Sequence, residues 1–517
     1  MSPAVRRLRM LAGMLLVWIV GSAHVGTNQV VLEGRAGGYL LRVMLDPAGV
    51  IPSQVPIIVR VLEGSPTRVT IRAAQWNIGT RGAPPAEDAT PVPGDRGVWS
   101  HSVWIMTSST YSVHVAVEGP AGNGTLIVPL QTSATATLGM DRGMGALLLV
   151  LGALLVAGVL SIVGAAAREG SLEPGVVPTD ARRRTARTAM ATAAGVMALA
   201  LLSGSKWWSI EEGAYRRRLY RPMSIATSIR TLDAQRMLTI VVTDSLWRTN
   251  RLPPLMPDHG KLLHLFLIRD GEQDAIGHLH PLRVHPDSFV TRIPPIPPGR
   301  YLLYGDFLLQ SGAQRTVVDT VDMPVAPVVA DESSSPRAKV ADASATTFTS
   351  AFADADDSWG VVTAHAIGER APLVSGGSLT LTSDTPIAAK RDLRLLVTMR
   401  DDLGTVVATE PYMGMGGHVM VLRQDAGVFM HLHPLGTASA TAQLQLMRRE
   451  RGDTARLDSA SLAAVIGAAE HAAMPHEMQP APVAFPFAFP SVGAYRVFVQ
   501  VKRAGRIETV AFDVSVP

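Results

Sequence analysis

The sequence predicts a mainly β chain: three immunoglobulin-like β-sandwich units outside a membrane, together with a two-helix transmembrane hairpin. Three observations carry this. The 517 residues include 46 Gly and 36 Pro with 5% aromatics, a composition that suits short strands joined by turns. A turn, a tyrosine and an alternating strand recur at Thr107-Ser108-Ser109-Thr110-Tyr111, Pro298-Gly299-Arg300-Tyr301 and Val492-Gly493-Ala494-Tyr495. Such a tyrosine is typical of immunoglobulin-like sandwiches, its ring in the core and its hydroxyl on backbone. Finally, two uncharged apolar stretches interrupt the strand pattern between the first and second units.

Taken in order, Met1 to Ala23 has a basic start (Arg6, Arg7, Arg9), an apolar stretch Met10 to Val20 and small residues Gly21 and Ala23. That is the pattern of a signal peptide, whose cleavage would leave His24 first, or of an N-terminal anchor with the same orientation. The first extracytoplasmic unit, 24–138, carries strand-like runs at Tyr39 to Leu45, Ile57 to Leu62, Arg68 to Ile71, Val98 to Met106 and Tyr111 to Glu118. A transmembrane helix follows at 143–167, since about 20 apolar residues span a bilayer. A second is expected at 188–206, ending on the interfacial residues Lys206, Trp207 and Trp208. Between them, 168–187 forms a basic loop with Arg168, Arg182, Arg183, Arg184 and Arg187, expected on the cytoplasmic side. Arg216, Arg217, Arg218 and Arg221 oppose that orientation without reversing it, because the N-terminal segment independently places residue 24 outside. Glu211 to Tyr220 reads either as an amphipathic segment on lipid headgroups or as a solvated helix. The second sandwich occupies 224–325 and the third 358–517, joined by a Ser-, Ala-, Asp- and Thr-rich flexible linker, 331–357. The third holds an insertion, helical over 457–470, followed by His471, Met474, His476 and Met478. These features place the chain in the cytoplasmic membrane, with the lipid bilayer as a partner and most residues periplasmic or extracellular.

Charge and motif content narrow the chemistry. Without cysteine there are no disulfides, thiolate zinc sites, iron–sulfur ligands or cysteine nucleophiles. The net charge of +4 owes much to membrane-flanking arginines and makes no basic stripe with interleaved aromatics, so no nucleic-acid partner is expected. No phosphate-binding Gly-Lys-Ser loop, Gly-x-Ser-x-Gly elbow or His-Glu-x-x-His helix occurs. The carboxylate pairs Asp401/Asp402 and Asp356/Asp357 read as solvated surface. Neither apolar span carries a charge short of Lys206 at its interfacial end, which leaves no obvious transport path. The expectation is a tethered binder, not an enzyme.

What it binds is indicated by a histidine pattern that occurs twice: His264 with His278-Leu279-His280-Pro281, and His418 with His431-Leu432-His433-Pro434. Six of the 14 histidines fall in these blocks. Each block reads as a β-hairpin, an apolar run meeting a polar turn and returning. If Arg423 faces Val428, then Met420 faces His431 and His418 faces His433; pairing Arg269 with Ala275 sets His264 opposite His280, with His278 beside Phe266. Because strand side chains alternate with period two, these groups share one face of each ribbon. Three imidazoles so placed suit a metal ion. The candidate ligands are His264, His278, His280, His418, His431 and His433, with Met420 or the Gly-flanked Met413 and Met415 as soft donors. Copper fits imidazole and thioether donors best; zinc, with Asp258, is the alternative, and nickel and iron follow. The competing structural reading is that hydrogen-bonded histidines hold the hairpins together. The first unit has only His24, His101 and His114, without the hairpin spacing, and is expected to bind no metal.

At Asp258-His259-Gly260-Lys261, His264-Leu265-Phe266-Leu267, His278-Leu279-His280-Pro281, His418 and Phe429-Met430-His431-Leu432-His433-Pro434, the chain resembles the YtkA-like family of exported bacterial β-sandwich domains. The likeness covers the second and third units and reaches the first only through its final strands. It implies secreted or membrane-attached sandwiches linked to copper or respiratory-oxidase handling. A looser likeness to CopC-type periplasmic copper carriers rests on His24. Three functions follow as expectations: an extracytoplasmic copper buffer or carrier that delivers to a copper-accepting membrane or periplasmic protein, a partner-docking array without metal, and a metal-dependent redox enzyme. The last lacks any sign of a substrate cleft.

Overall fold

Strands form where the alternation of apolar and polar residues predicts them. The computed structural model describes residues 29–173, 175–232, 235–325, 352–452 and 481–517. The signal segment with His24, linker residues 331–351, and 453–480 with the expected helix and His471, Met474, His476 and Met478 lie outside the described residues. The protein is mainly β, its sheets stacked in pairs, with two long apolar helices. Two compact units divide it: residues 133–221, and the rest.

In the first sandwich a five-stranded sheet runs Val30–Ala36, Tyr39–Leu45, Ser53–Glu63, Val98–Ile105, Thr90–Pro91, and a four-stranded one runs Glu87–Asp88, Arg68–Gln75, Thr110–Glu118, Gly124–Gln131. Val55, Ile57 and Val59 are fully buried while Gln54 and Pro56 face water, the period of a strand with one covered face. The strands Val30–Ala36 and Gly124–Gln131 go beyond the expected set.

The second sandwich pairs Ile225–Leu232, Gln235–Val242, Ser288–Ile293 and Leu282–His285 against a sheet built on Gly299–Leu309, the hairpin His264–Arg269/Ala275–Leu279, Leu255–Met256 and Gln314–Met323. The strand Ser358–Val361, expected to open the third sandwich, pairs with Ala275–His278 at this sheet's edge. The third sandwich sets Arg506–Val516, Gly493–Arg503 and the hairpin His418–Arg423/Phe429–Leu432 against Ser378–Ser383, Asp392–Arg400 and Val483–Ala488. All three tyrosines turn back by four residues: Tyr111 Oη donates to Thr107 O (3.2 Å), Tyr301 to Pro297 O (2.9 Å) and Tyr495 to Ser491 O (2.8 Å).

Both histidine hairpins are apolar on two faces, and for one reason. Leu265, Leu267 and Leu279 fill the core of the second sandwich, and Val419, Val421 and Leu432 that of the third. The alternate residues Phe266, Ile268 and Ile276 meet Met420, Leu422 and Phe429 in a further apolar cluster, so the two hairpin sheets pack against each other through their outer faces. Hence neither strand shows the polar alternation of a half-exposed sheet.

The loop after the second hairpin clasps the first sandwich: Glu33 N donates to Leu435 O (2.8 Å) and Thr437 N to Val31 O (2.9 Å). Gly436 sits there at φ 126°, and a Cβ on it would fall 2.0 Å from Val31 O, so only glycine fits. Beside it, buried Arg42 bonds Glu33 (2.5 Å), Asp392 (3.1 Å) and Asp384 (3.2 Å). A helix not anticipated from sequence, Ala440–Glu450, is capped by Ser439, whose hydroxyl accepts from Ala442 N. It touches both other sandwiches, through Gln445 on Gln310 O (3.2 Å) and through Glu450 on Ser112 Oγ (3.1 Å).

The separate unit is a pair of packed helices, Arg142–Glu169 and Asp180–Arg217, both long and apolar enough to cross a membrane. Gly164 allows their close approach, since a Cβ there would lie 2.6 Å from Met190 Sδ. The second helix has 38 residues, about 57 Å at 1.5 Å per residue. It therefore absorbs Arg182, Arg183, Arg184 and Arg187 at one end and Glu211 to Arg217 at the other. Half of the basic segment 168–187, including all five of its arginines, is helix and not loop, and the expected amphipathic stretch is for the most part a continuation of the second helix.

Candidate metal centre

The hairpin registers follow the sequence arithmetic. Phe266 pairs with His278 and Leu265 with Leu279, while Met420 pairs with His431 and Val419 with Leu432. One ring nitrogen from each of His264, His278 and His280 lies within 4.8 Å of the others, and the same holds for His418, His431 and His433. The two triads are not separate. Because the outer faces of the hairpins meet, ring centroids lie 5.4 Å apart for His264–His431, 5.8 Å for His278–His431 and 5.9 Å for His278–His418. His259 joins them 4.9 Å from His433, which makes a buried cluster of seven imidazoles.

Hydrogen bonds orient the rings. His264 Nε2 lies 3.1 Å from Asp258 O, an acceptor only, so this nitrogen carries the proton and Nδ1 the lone pair. His278 Nδ1 is hydrogen-bonded to the side-chain amide of Gln500 at 2.9 Å, and the other end of that amide meets Ser358 Oγ (2.7 Å) and Thr509 Oγ1 (3.0 Å). His278 Nε2 faces His264 Nδ1 at 3.3 Å. His280 Nδ1 donates to Asp357 Oδ1 (3.0 Å), and His431 Nδ1 lies 3.7 Å from Asp306 Oδ2. Among the described residues, His280 Nε2, His431 Nε2 and both ring nitrogens of His259, His418 and His433 are buried with no hydrogen-bond partner. Each unpaired buried polar atom costs about 1–3 kcal/mol.

Burial also keeps six of the imidazoles neutral. It pulls His264 down to about 4 and His433 to about 3, and it holds His278, His280, His418 and His431 well below the usual range, with the neighbouring histidines adding to the effect in each. Neutral imidazole is the metal-ligating form. Three carboxyls border the cluster. Burial pushes Asp306 up to about 7 and Asp357 to about 6; for Asp258 burial is outweighed by the adjoining imidazoles and the Ser439 hydroxyl, which hold it at about 2.

Several sequence expectations change here. Asp356 and Asp357, read as solvated linker, anchor the cluster: Asp357 Oδ1 accepts from His280 N (2.8 Å), Asp356 pairs with Lys261 (3.1 Å), and Asp356 O accepts from buried Tyr412 Oη (2.9 Å). The linker therefore ends as ordered structure. Met420 lies opposite His431 as expected, but it is fully buried in the apolar cluster with Phe266 and Phe429, so packing accounts for it. Met413 and Met415 are half-buried on a turn in which Tyr412 and Met415 exchange backbone hydrogen bonds (2.7 and 3.1 Å). His259, Asp306 and Gln500 were not foreseen. The signal for the last two is a single polar residue in an apolar run, Leu302-Leu303-Tyr304-Gly305-Asp306-Phe307 and Val497-Phe498-Val499-Gln500-Val501. In the first sandwich, His101 lies 3.1 Å from Glu87 and His114 3.3 Å from Glu450, each a pair and not a triad.

Residues 373–517 match the model of a domain of unknown function, DUF8832. No curated protein matches the chain. Among solved structures, it is similar to dimeric latent PorU of Porphyromonas gingivalis at 8% identity and TM-score 0.15, over 95% of this chain and 34% of that one. A Salmonella alpha-2-macroglobulin variant gives 8% and 0.19 over 93% and 24%. A putative membrane anchored protein of Corynebacterium diphtheriae gives 8% and 0.14 over 92% of both chains. The chain thus spans about a third and a quarter of the length of the first two.

Proposed function

We propose that this chain is a membrane-anchored, extracytoplasmic metal-binding protein that buffers copper or delivers it to a copper-accepting membrane or periplasmic protein. One observation carries the reading: among the described residues, eight ring nitrogens of His259, His280, His418, His431 and His433 are buried with no hydrogen-bond partner, and a cation would give these atoms one. Two imidazoles bound to one tetrahedral ion at about 2.0 Å each stand about 3.3 Å apart, the separation of His264 Nδ1 and His278 Nε2. The residues present fit such an ion. Their outer nitrogens are held by carbonyl, amide and carboxylate acceptors, the usual support of metal-bound histidine. An all-imidazole donor set favours copper, which heads the divalent affinity order, with zinc next. The two apolar helices support the bilayer as the anchor, and the arginines around 168–187 support an orientation with the sandwiches outside.

The docking-array reading keeps one observation of its own, because the histidines border the apolar contact between two sandwiches. Elemental analysis of the untagged full chain in detergent separates the two. Copper retained after desalting and lost in the His264→Ala/His278→Ala double variant is the expected result. No retention by the wild type, and no binding in chelator competition, would leave the histidines structural.

A further inference from the structure

We propose that the seven histidines hold two metal ions as one centre shared by the second and third sandwiches, with His259 and Asp258 reaching across the interface to the ion of the second hairpin. This rests on the metal-binding reading above and adds the number of ions, their adjacency and two ligands from the opposite sandwich.

Six imidazoles form two sets of three, and three protein ligands are what an exchangeable metal site commonly supplies. The nearest rings of the two sets lie almost as close as rings within a set. Ring centroids within the first triad are 5.6, 5.1 and 4.7 Å apart, and within the second 5.4, 5.6 and 4.5 Å. Across the sets they are 5.4, 5.8 and 5.9 Å apart. An ion in each triad would have the other as its neighbour.

The support of the rings is reciprocal. His278 of the second sandwich is oriented by Gln500 of the third, and His431 of the third lies against Asp306 of the second. Neither triad is thus oriented by its own sandwich alone. Charge is provided for as well, since Asp258, Asp306 and Asp357 border the cluster and can offset two cations in a buried site.

His259 is buried without a hydrogen-bond partner. Its side chain is 1% exposed, both ring nitrogens lack hydrogen-bond partners, and Nε2 lies 3.5 Å from Asp258 Oδ1. The backbone holds it at φ 50°, a left-handed conformation that is strained for a non-glycine residue and that concentrates at functional sites. A tight turn, with Asp258 and Lys261 exchanging backbone hydrogen bonds at 2.8 and 3.0 Å, maintains it. The turn delivers one donor each from Asp258 and His259 to within 4.8 Å of His433 on the facing hairpin. His433 itself belongs to the second triad, so these groups extend that triad from the other sandwich.

The test loads the untagged full chain in detergent with Cu(II) in air, desalts it, and measures copper per chain and the EPR spectrum. Two copper ions are expected, with the dipolar broadening and half-field line of a close Cu(II) pair, both lost on acid release. His264→Ala/His280→Ala should retain one copper, with the spectrum of an isolated ion. His259→Ala should weaken the ion of the second hairpin by about 10- to 100-fold and spare the other. One copper per wild-type chain, or two with the spectra of isolated ions, overturns the shared centre while leaving metal binding in place. No copper at all overturns the metal-binding reading itself. The wild-type measurements decide the matter even if a variant fails to fold.

Discussion

Gln500 Oε1 and His278 Nδ1 are hydrogen-bonded at 2.9 Å, across the contact between two sandwiches and 222 residues along the chain. The contact holds the His278 ring with Nε2 facing His264 Nδ1. Gln500→Leu removes the acceptor at nearly constant volume and should lower copper affinity about 10- to 100-fold, the usual effect of losing a residue that orients a ligand. Gln500→Glu keeps an acceptor and should lose less. Chelator competition on folded protein measures both; equal affinity in wild type and Gln500→Leu would end the positioning role.

Acid should destabilise the metal-free protein. Six histidines have pKa values lowered by burial, so between the unfolded value of about 6.5 and about 4 the unfolded chain binds more protons and stability falls as pH falls. Two carboxyls, Asp306 at about 7 and Asp357 at about 6, act in the opposite sense over the same range and are outnumbered. Melting temperature should therefore drop from pH 6.5 to 4, and bound copper should reduce the drop. A flat or rising profile would show that the rings are not buried as described.

Arg42→Ala leaves Glu33, Asp392 and Asp384 without the guanidinium that they share. Arg394 still pairs with Glu33 (2.7 Å) and Arg60 with Asp392 (3.0 Å), so the loss should be about 1.5–3 kcal/mol, the worth of a charged hydrogen bond. The variant should melt earlier, with the first sandwich loosened from the third, while copper per chain stays unchanged. Calorimetry and elemental analysis read the two effects separately, and copper loss in the folded variant would tie the first sandwich to the centre.

His101→Ala and His114→Ala should leave the copper content of the full chain unchanged, because each imidazole has a single carboxylate neighbour, Glu87 or Glu450. His114→Ala should still cost stability, since it removes a contact with the helix Ala440–Glu450. Stoichiometric copper loss in either variant would contradict the assignment of the first sandwich as metal-free.

Reporter fusions test the topology. A periplasm-active reporter joined after Val325 should be active, and one inserted at Pro178, between the two apolar helices, should be silent. The reverse result would place the sandwiches in the cytoplasm and remove the case for copper delivery outside it.

Much of the fold was legible in the sequence because it depends on local periodicity. A period of two and a countable turn are enough to pair Phe266 with His278 and Met420 with His431, and a repeated turn and tyrosine mark three sandwiches. Uncharged length alone marks the two helices. The centre was legible only in halves. Each hairpin's sequence determines which residues share a face, but not what that face meets, since Phe266 and Met420 would read the same against any apolar surface. Only tertiary packing brought the two faces together, placed Gln500 and Asp306 on the opposite sandwich's histidines, folded Asp357 back onto His280, and aimed His259 at His433. The physical reason is that apolar burial is non-directional, whereas the lone polar residues it carries inward must find partners wherever the chain has put them.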